Sequence, residues 1–122
     1  MSDLSARPWP TELKLKKSER RLDVTFDDGK IFQLDAELLR VESPSAEVQG
    51  HGTGQKTTVA GKRNVTIERL EPVGNYAVRI IFGDGHDSGL FTWETLYRLG
   101  ADHDRIFADY IAALTEKGLS RD

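Results

Sequence analysis

The sequence predicts an α+β domain: a strongly twisted antiparallel sheet of about five to six strands, two short helices and a longer C-terminal helix packed against it. Three observations carry that expectation. Apolar residues alternate with polar ones in several short runs, which marks half-buried strands. Turns rich in Asp and Gly separate those runs. Helical spacing of apolar residues is clearest near the C-terminus.

The elements follow in order. Residues 1–10 contain Pro8 and Pro10, show no periodicity and read as a loose arm ahead of a domain over 11–118. Residues 11–17 place Leu13 and Leu15 on one face and Glu12, Lys14 and Lys16 on the other. After a turn at 18–21, Leu22, Val24 and Phe26 repeat the pattern. Asp27-Asp28-Gly29-Lys30 makes a tight reversal, because glycine takes positive φ without steric cost. Residues 31–34 return as a strand, and Asp35 is a good N-cap for a helix over 36–42. Ser43-Pro44 ends that helix. The stretch from Gln49 to Lys56 is rich in glycine and reads as a mobile loop.

Residues 64–70 alternate again, Pro72-Val73-Gly74-Asn75 turns the chain, and 76–82 is the most apolar stretch and the expected central strand. Residues 83–87 turn once more and 88–91 return. Thr92 caps a helix over 93–99, with Gly100 as its stop, and Asp102 caps a last helix over 103–117 ended by Gly118. The stripe of that helix is Ile106, Phe107, Tyr110, Ile111 and Leu114. Val24-Thr25-Phe26-Asp27-Asp28-Gly29 followed by Leu38-Leu39-Arg40 is echoed by Ile80-Ile81-Phe82-Gly83-Asp84-Gly85 followed by Leu96-Tyr97-Arg98. The echo suggests two pseudo-repeated strand-turn-strand-helix units.

Composition narrows function. The chain has 122 residues, a length that buries a core without staples. It has no cysteine, which removes disulfides, thiolate metal sites and thiol catalysis. A net charge of −3 argues against nucleic acid as a partner. No apolar run approaches the roughly 20 residues of a membrane span, and the first residues lack a secretory pattern. A cytoplasmic protein is expected.

The run Phe82-x-Asp84-Gly85-His86-Asp87-Ser88-Gly89-Leu90-Phe91-x-Trp93 resembles the bacterial DUF971 family, the stand-alone form of the N-terminal domain of gamma-butyrobetaine hydroxylase. The resemblance extends through Leu39-Arg40-Val41-Glu42-Ser43-Pro44-Ser45, Gln49-Gly50-His51-Gly52, Gly61-Lys62-Arg63 and Glu71-Pro72-Val73-Gly74-Asn75-Tyr76, roughly residues 11–100. It implies an accessory domain that, in the hydroxylase, holds zinc through a Cys-Pro-Cys-x-x-Cys segment and one histidine. Here Ser43, Ser45 and Val48 stand at the thiolate positions, and His86 alone matches. The same kind of domain occurs fused to carriers of iron–sulfur cluster assembly. This implies a supporting role near iron chemistry, with an iron–sulfur carrier or a metalloenzyme as protein partner.

The residues themselves argue for and against several chemistries. No His-x-Asp begins a facial triad, so an oxygenase is not expected, nor is any other enzyme. Residues 50–57 approach a phosphate loop, but Gln55 replaces its second glycine. The rival reading joins His51, Gly52, Lys56, Lys62 and Arg63 into a docking loop, with Trp93 as an aromatic anchor. Asp84, His86 and Asp87 gather on one turn and could hold iron or zinc. The favoured alternative there is that the two aspartates satisfy turn backbone groups and His86 faces solvent.

Overall fold

The alternating residues of the first third build a three-stranded meander. The computed structural model describes residues 8–50 and 56–122. In it β1 (Pro10–Lys16) pairs antiparallel with β2 (Arg21–Phe26), and β2 with β3 (Ile31–Asp35). Helix α1 (Ala36–Val41) follows at once, then a single turn, α2 (Ala46–Gln49). The second half repeats the antiparallel scheme with β4 (Ile67–Val73), β5 (Ala77–Phe82) and β6 (Leu90–Thr92). Helices α3 (Trp93–Ala101) and α4 (His103–Glu116) close the chain.

The fold is α+β as expected, but the six strands among the described residues form two three-stranded sheets and not one. The order is β1-β2-β3 in one and β4-β5-β6 in the other. The sheets meet through side chains. One core cluster takes Leu22, Val24, Phe26 and Leu34 from the first sheet and Ile67, Val78, Ile80, Phe82 and Phe91 from the second. Leu38, Leu39, Leu96, Leu99 and Ile106 from the helices complete it. Strand β5 is the middle strand of its sheet, as its apolar run predicts.

The two Asp-Gly turns close alike. Gly29 has φ 90° and Gly85 has φ 93°. Phe26 N–H donates to Lys30 O at 2.9 Å, and Phe82 N–H to His86 O at 3.0 Å. Asp28 Oδ1 accepts from Lys30 N–H at 3.0 Å, and Asp84 Oδ1 accepts from His86 N–H at 3.0 Å. The carboxylates therefore do the work of Asx residues in turns.

Local expectations fail where neighbours decide. Strand β4 begins later than residue 64 and runs through Pro72. Proline is tolerated there because β4 is an edge strand with no partner on one side. Thr92 caps α3, its Oγ1 accepting from Thr95 N–H at 3.1 Å. Asp35 holds the N-cap position of α1 without a side-chain bond. Gly100 lies inside α3 and does not end it. A Cβ there would stand 2.2 Å from Phe32 Cγ, so the glycine serves the approach of a ring from β3.

Gly100→Ala sets two effects against each other. Alanine favours a helix interior by roughly 1 kcal/mol, while forcing a methyl into a filled space costs about 1–3 kcal/mol. The clash is at the base of the Phe32 ring and not at a flexible tip, so a net loss of stability is expected. Urea denaturation of the variant checks it, and unchanged or increased stability would refute the packing assignment.

Candidate functional site

The β5–β6 turn projects Asp84 and His86 onto the segment that joins α1 to α2. His86 is 8% exposed, so the expectation that it faces solvent is wrong. Its Nε2 lies 2.9 Å from Ser43 Oγ and 3.3 Å from Ser45 Oγ. Its Nδ1 lies 3.4 Å from Glu47 Oε1, which also accepts from Ser88 Oγ at 2.5 Å. Ser43 is fully buried and Ser45 is 5% exposed. Gly89 makes the approach feasible, since a Cβ there would stand 2.2 Å from Ser43 Oγ. Gln49 Nε2 ties the same segment down by donating to Ser43 O at 3.0 Å and Glu42 O at 3.3 Å. These bonds satisfy carbonyls left open where α1 ends.

Asp84 is committed elsewhere. Its Oδ2 accepts from Arg40 Nε at 2.8 Å and from Lys62 Nζ at 2.6 Å. Burial alone would raise its pKa, but the bonds from Lys62, the His86 N–H and Arg40 outweigh that and hold it well below the ordinary carboxylate value. The pKa of His86 is lowered, first by desolvation and then by the Arg40 charge, against the opposing pull of Glu47, Asp84 and Asp87. A neutral imidazole results. With the Glu47 carboxylate facing Nδ1, the proton belongs on Nδ1, leaving Nε2 to accept from Ser43 Oγ–H. Arg40 Nη1 is buried without a hydrogen-bond partner among the described residues.

The residues singled out in the sequence are therefore only partly brought together. Asp84 and His86 share the turn, but the Asp84 carboxylate and the His86 ring point to different partners. Asp87 is exposed. Among the described residues no group of three or more His, Asp or Glu is gathered in a way that could hold a metal ion. Lys56 pairs with Glu42 at 2.7 Å, Lys62 with Asp84, and Arg63 with Asp122 at 2.5 Å, so the expected docking loop is split over three anchors. His51 and Gly52 lie outside the described residues. Trp93 is half-buried, its Nε1–H donating to Asn75 O at 2.9 Å. Sequence reasoning missed the part played by Glu47, Ser88 and Gly89. The one available signal was Ser43 and Ser45 flanking Pro44, two polar residues at positions that turn out to be buried.

The comparisons bear on this geometry. A model of the family described as gamma-butyrobetaine hydroxylase-like, N-terminal, matches residues 13–97. One protein solved by solution NMR is 46% identical, covers 94% of this chain and 90% of its own, and superposes with a TM-score of 0.81. A second NMR structure is 47% identical over 99% of this chain and 90% of its own, with a TM-score of 0.82. A crystal structure of a DUF971-family protein of unknown function, from Acidithiobacillus ferrooxidans ATCC 23270, is 40% identical over 75% of this chain and 92% of its own, with a TM-score of 0.63. No curated protein matches the chain. Among the described residues no helix is long and apolar enough to cross a membrane.

The donors present do not fit the zinc that the resemblance implies. Hydroxyls are poor zinc ligands at neutral pH and the Val48 side chain is none. Two of the three positions converge, with both serine hydroxyls on His86 Nε2. Replacing Ser43, Ser45 and Val48 together by Cys is expected to give a chain that binds one zinc tightly, seen by metal analysis and by the thiolate absorption of a cobalt-loaded sample. A triple variant that stays metal-free would show that the positions do not converge on one ion.

The His86 shift has a pH consequence. Its ordinary value is 6.5 and its folded value is lower. Below pH 6.5 the unfolded chain takes up a proton that the folded chain refuses. His86 therefore contributes stability that is complete above 6.5 and declines as pH falls toward the folded pKa. His86→Gln should flatten the stability profile in that window, whatever its absolute cost. Equal slopes in both proteins, measured by urea denaturation at successive pH values, would contradict this.

Proposed function

The chain belongs to the gamma-butyrobetaine hydroxylase-like, N-terminal family, and from that membership we propose that it is a non-catalytic accessory domain that binds a protein partner in iron–sulfur cluster assembly or iron-dependent enzyme function. The observation that carries the non-catalytic part is the buried contact of Ser43, Ser45 and His86. The groups best suited to chemistry are bonded to one another beneath the surface. Such a scaffold works through what it exposes. Trp9 and Tyr76 are 49% and 51% exposed, and with Trp93 they line one shallow cavity of about 160 Å³. Trp9 and Trp93 meet edge to face at 6.3 Å. Exposed aromatic side chains of this kind commonly anchor protein interfaces. The iron-related part of the reading is supported by the family resemblance.

A second reading makes the protein a carrier of iron or zinc through His86 and nearby carboxylates. In its favour, Glu47 Oε1 lies beside Nδ1 and Glu47 is largely exposed. Against it, Asp84 already accepts from two cations.

An affinity pull-down with the wild-type chain beside a Trp9→Ser/Tyr76→Ser variant tests the first reading. The expected result is recovery of a cluster-assembly protein or metalloenzyme, reduced about tenfold or more by the variant, with no turnover of 2-oxoglutarate by the chain alone. Partners unrelated to metal metabolism would remove the iron part, and turnover would remove the non-catalytic part. Stoichiometric metal in the native protein, lost in His86→Ala, would favour the second reading instead.

A further inference from the structure

On the α4 side of the molecule, away from the Trp9–Trp93 pair, a cavity of about 380 Å³ opens between α1, α4 and residues 56–58. Small-molecule sites usually measure roughly 300–1,000 Å³. One wall is apolar, made of Val41, Ile106 and Ala113. Glu42 also lines it, with a side chain only 7% exposed and Oε1 2.7 Å from Lys56 Nζ. A buried carboxylate is costly unless paired, so Glu42 fixes the Lys56 ammonium at the cavity. An ammonium has three N–H donors, and the contact with Glu42 uses one.

The remaining charges around this cavity are unequal. Arg105 is neutralised by Asp102 and Asp109. Arg98, in the last turn of α3, and Lys117, after α4, both line the cavity and have no ion pair among the described residues. Glu116 is the one lining carboxylate in the same state. Among the lining residues four cations face three carboxylates, beside a wall that is apolar. A planar guanidinium fork suits a carboxylate in particular.

We propose that this cavity binds a small organic acid, its carboxylate held by Lys56 and Arg98 and its short apolar tail against Val41, Ile106 and Ala113. Glu42 is then a positioning residue that acts through Lys56. The site is separate from the His86 turn and independent of any partner bound at Trp9 and Tyr76.

The test uses the full chain, labelled with nitrogen-15, titrated in parallel with sodium hexanoate, hexylamine hydrochloride and inorganic phosphate. Hexanoate is expected to shift the amides of Thr57, Arg98 and Ala113 saturably, with the other two probes weaker at the same amides. Arg98→Gln, an exposed substitution that leaves the fold intact, should raise the hexanoate Kd about tenfold, the loss of one charge-assisted hydrogen bond. Glu42→Gln should weaken hexanoate as well, by freeing Lys56. The proposal is overturned if hexanoate gives no saturable shift, if Arg98→Gln binds it as the wild type does, or if phosphate or hexylamine binds as tightly.

Discussion

The arrangement depends on two side chains of the β5–β6 turn, Asp84 and His86, that reach across to the other half of the chain. Asp84 joins the turn to Arg40 on α1 and to Lys62. His86 joins it to Ser43 and Ser45, more than 40 positions earlier in the chain. Apolar packing brings the two sheets together, and the directed bonds at this corner add to it. Removing one partner of a buried hydrogen bond typically costs about 1–3 kcal/mol, a large share of a small domain's net stability.

Burial first, and the Arg40 charge second, explain why the imidazole at this corner stays neutral. Arg40 and Lys62 bring two positive charges to the Asp84 carboxylate, and Arg40 opposes a further cation on His86. Glu47 pulls the other way but is largely exposed, so water weakens its attraction. Burial and Arg40 together win. Of the three positions where the resemblance implies thiolates, two carry the hydroxyls of Ser43 and Ser45 and the third is Val48, and a hydroxyl accepts or donates a hydrogen bond where a thiolate would bind an ion.

Much of the local structure was legible in the sequence. The alternation of Leu22, Val24 and Phe26, the Thr92 cap and the Asx role of Asp84 depend on neighbours within a few residues, and each is present. What failed depends on distant neighbours. Alternation marks a strand without naming its partner, so two sheets were indistinguishable from one. Gly100 looks like a stop signal and Gly89 falls within the expected return strand, yet both make room for a side chain from elsewhere, Phe32 and Ser43. A helix of one turn, α2, is too short to show a period. His86 read as exposed because it follows Gly85 in a polar turn, and its burial comes from residues 43–45.

The candidate site is accordingly better understood as an internal tie than as a reactive centre, and the exposed aromatic corner and the cavity over Glu42 are where binding is to be sought. The most direct measurement is the protonation state of the His86 ring at pH 7, read from its two nitrogen-15 shifts and their ring-proton correlations. The account requires a single neutral tautomer with the proton on Nδ1. An imidazolium, a proton on Nε2, or the fast tautomer average of a solvent-exposed histidine would contradict it.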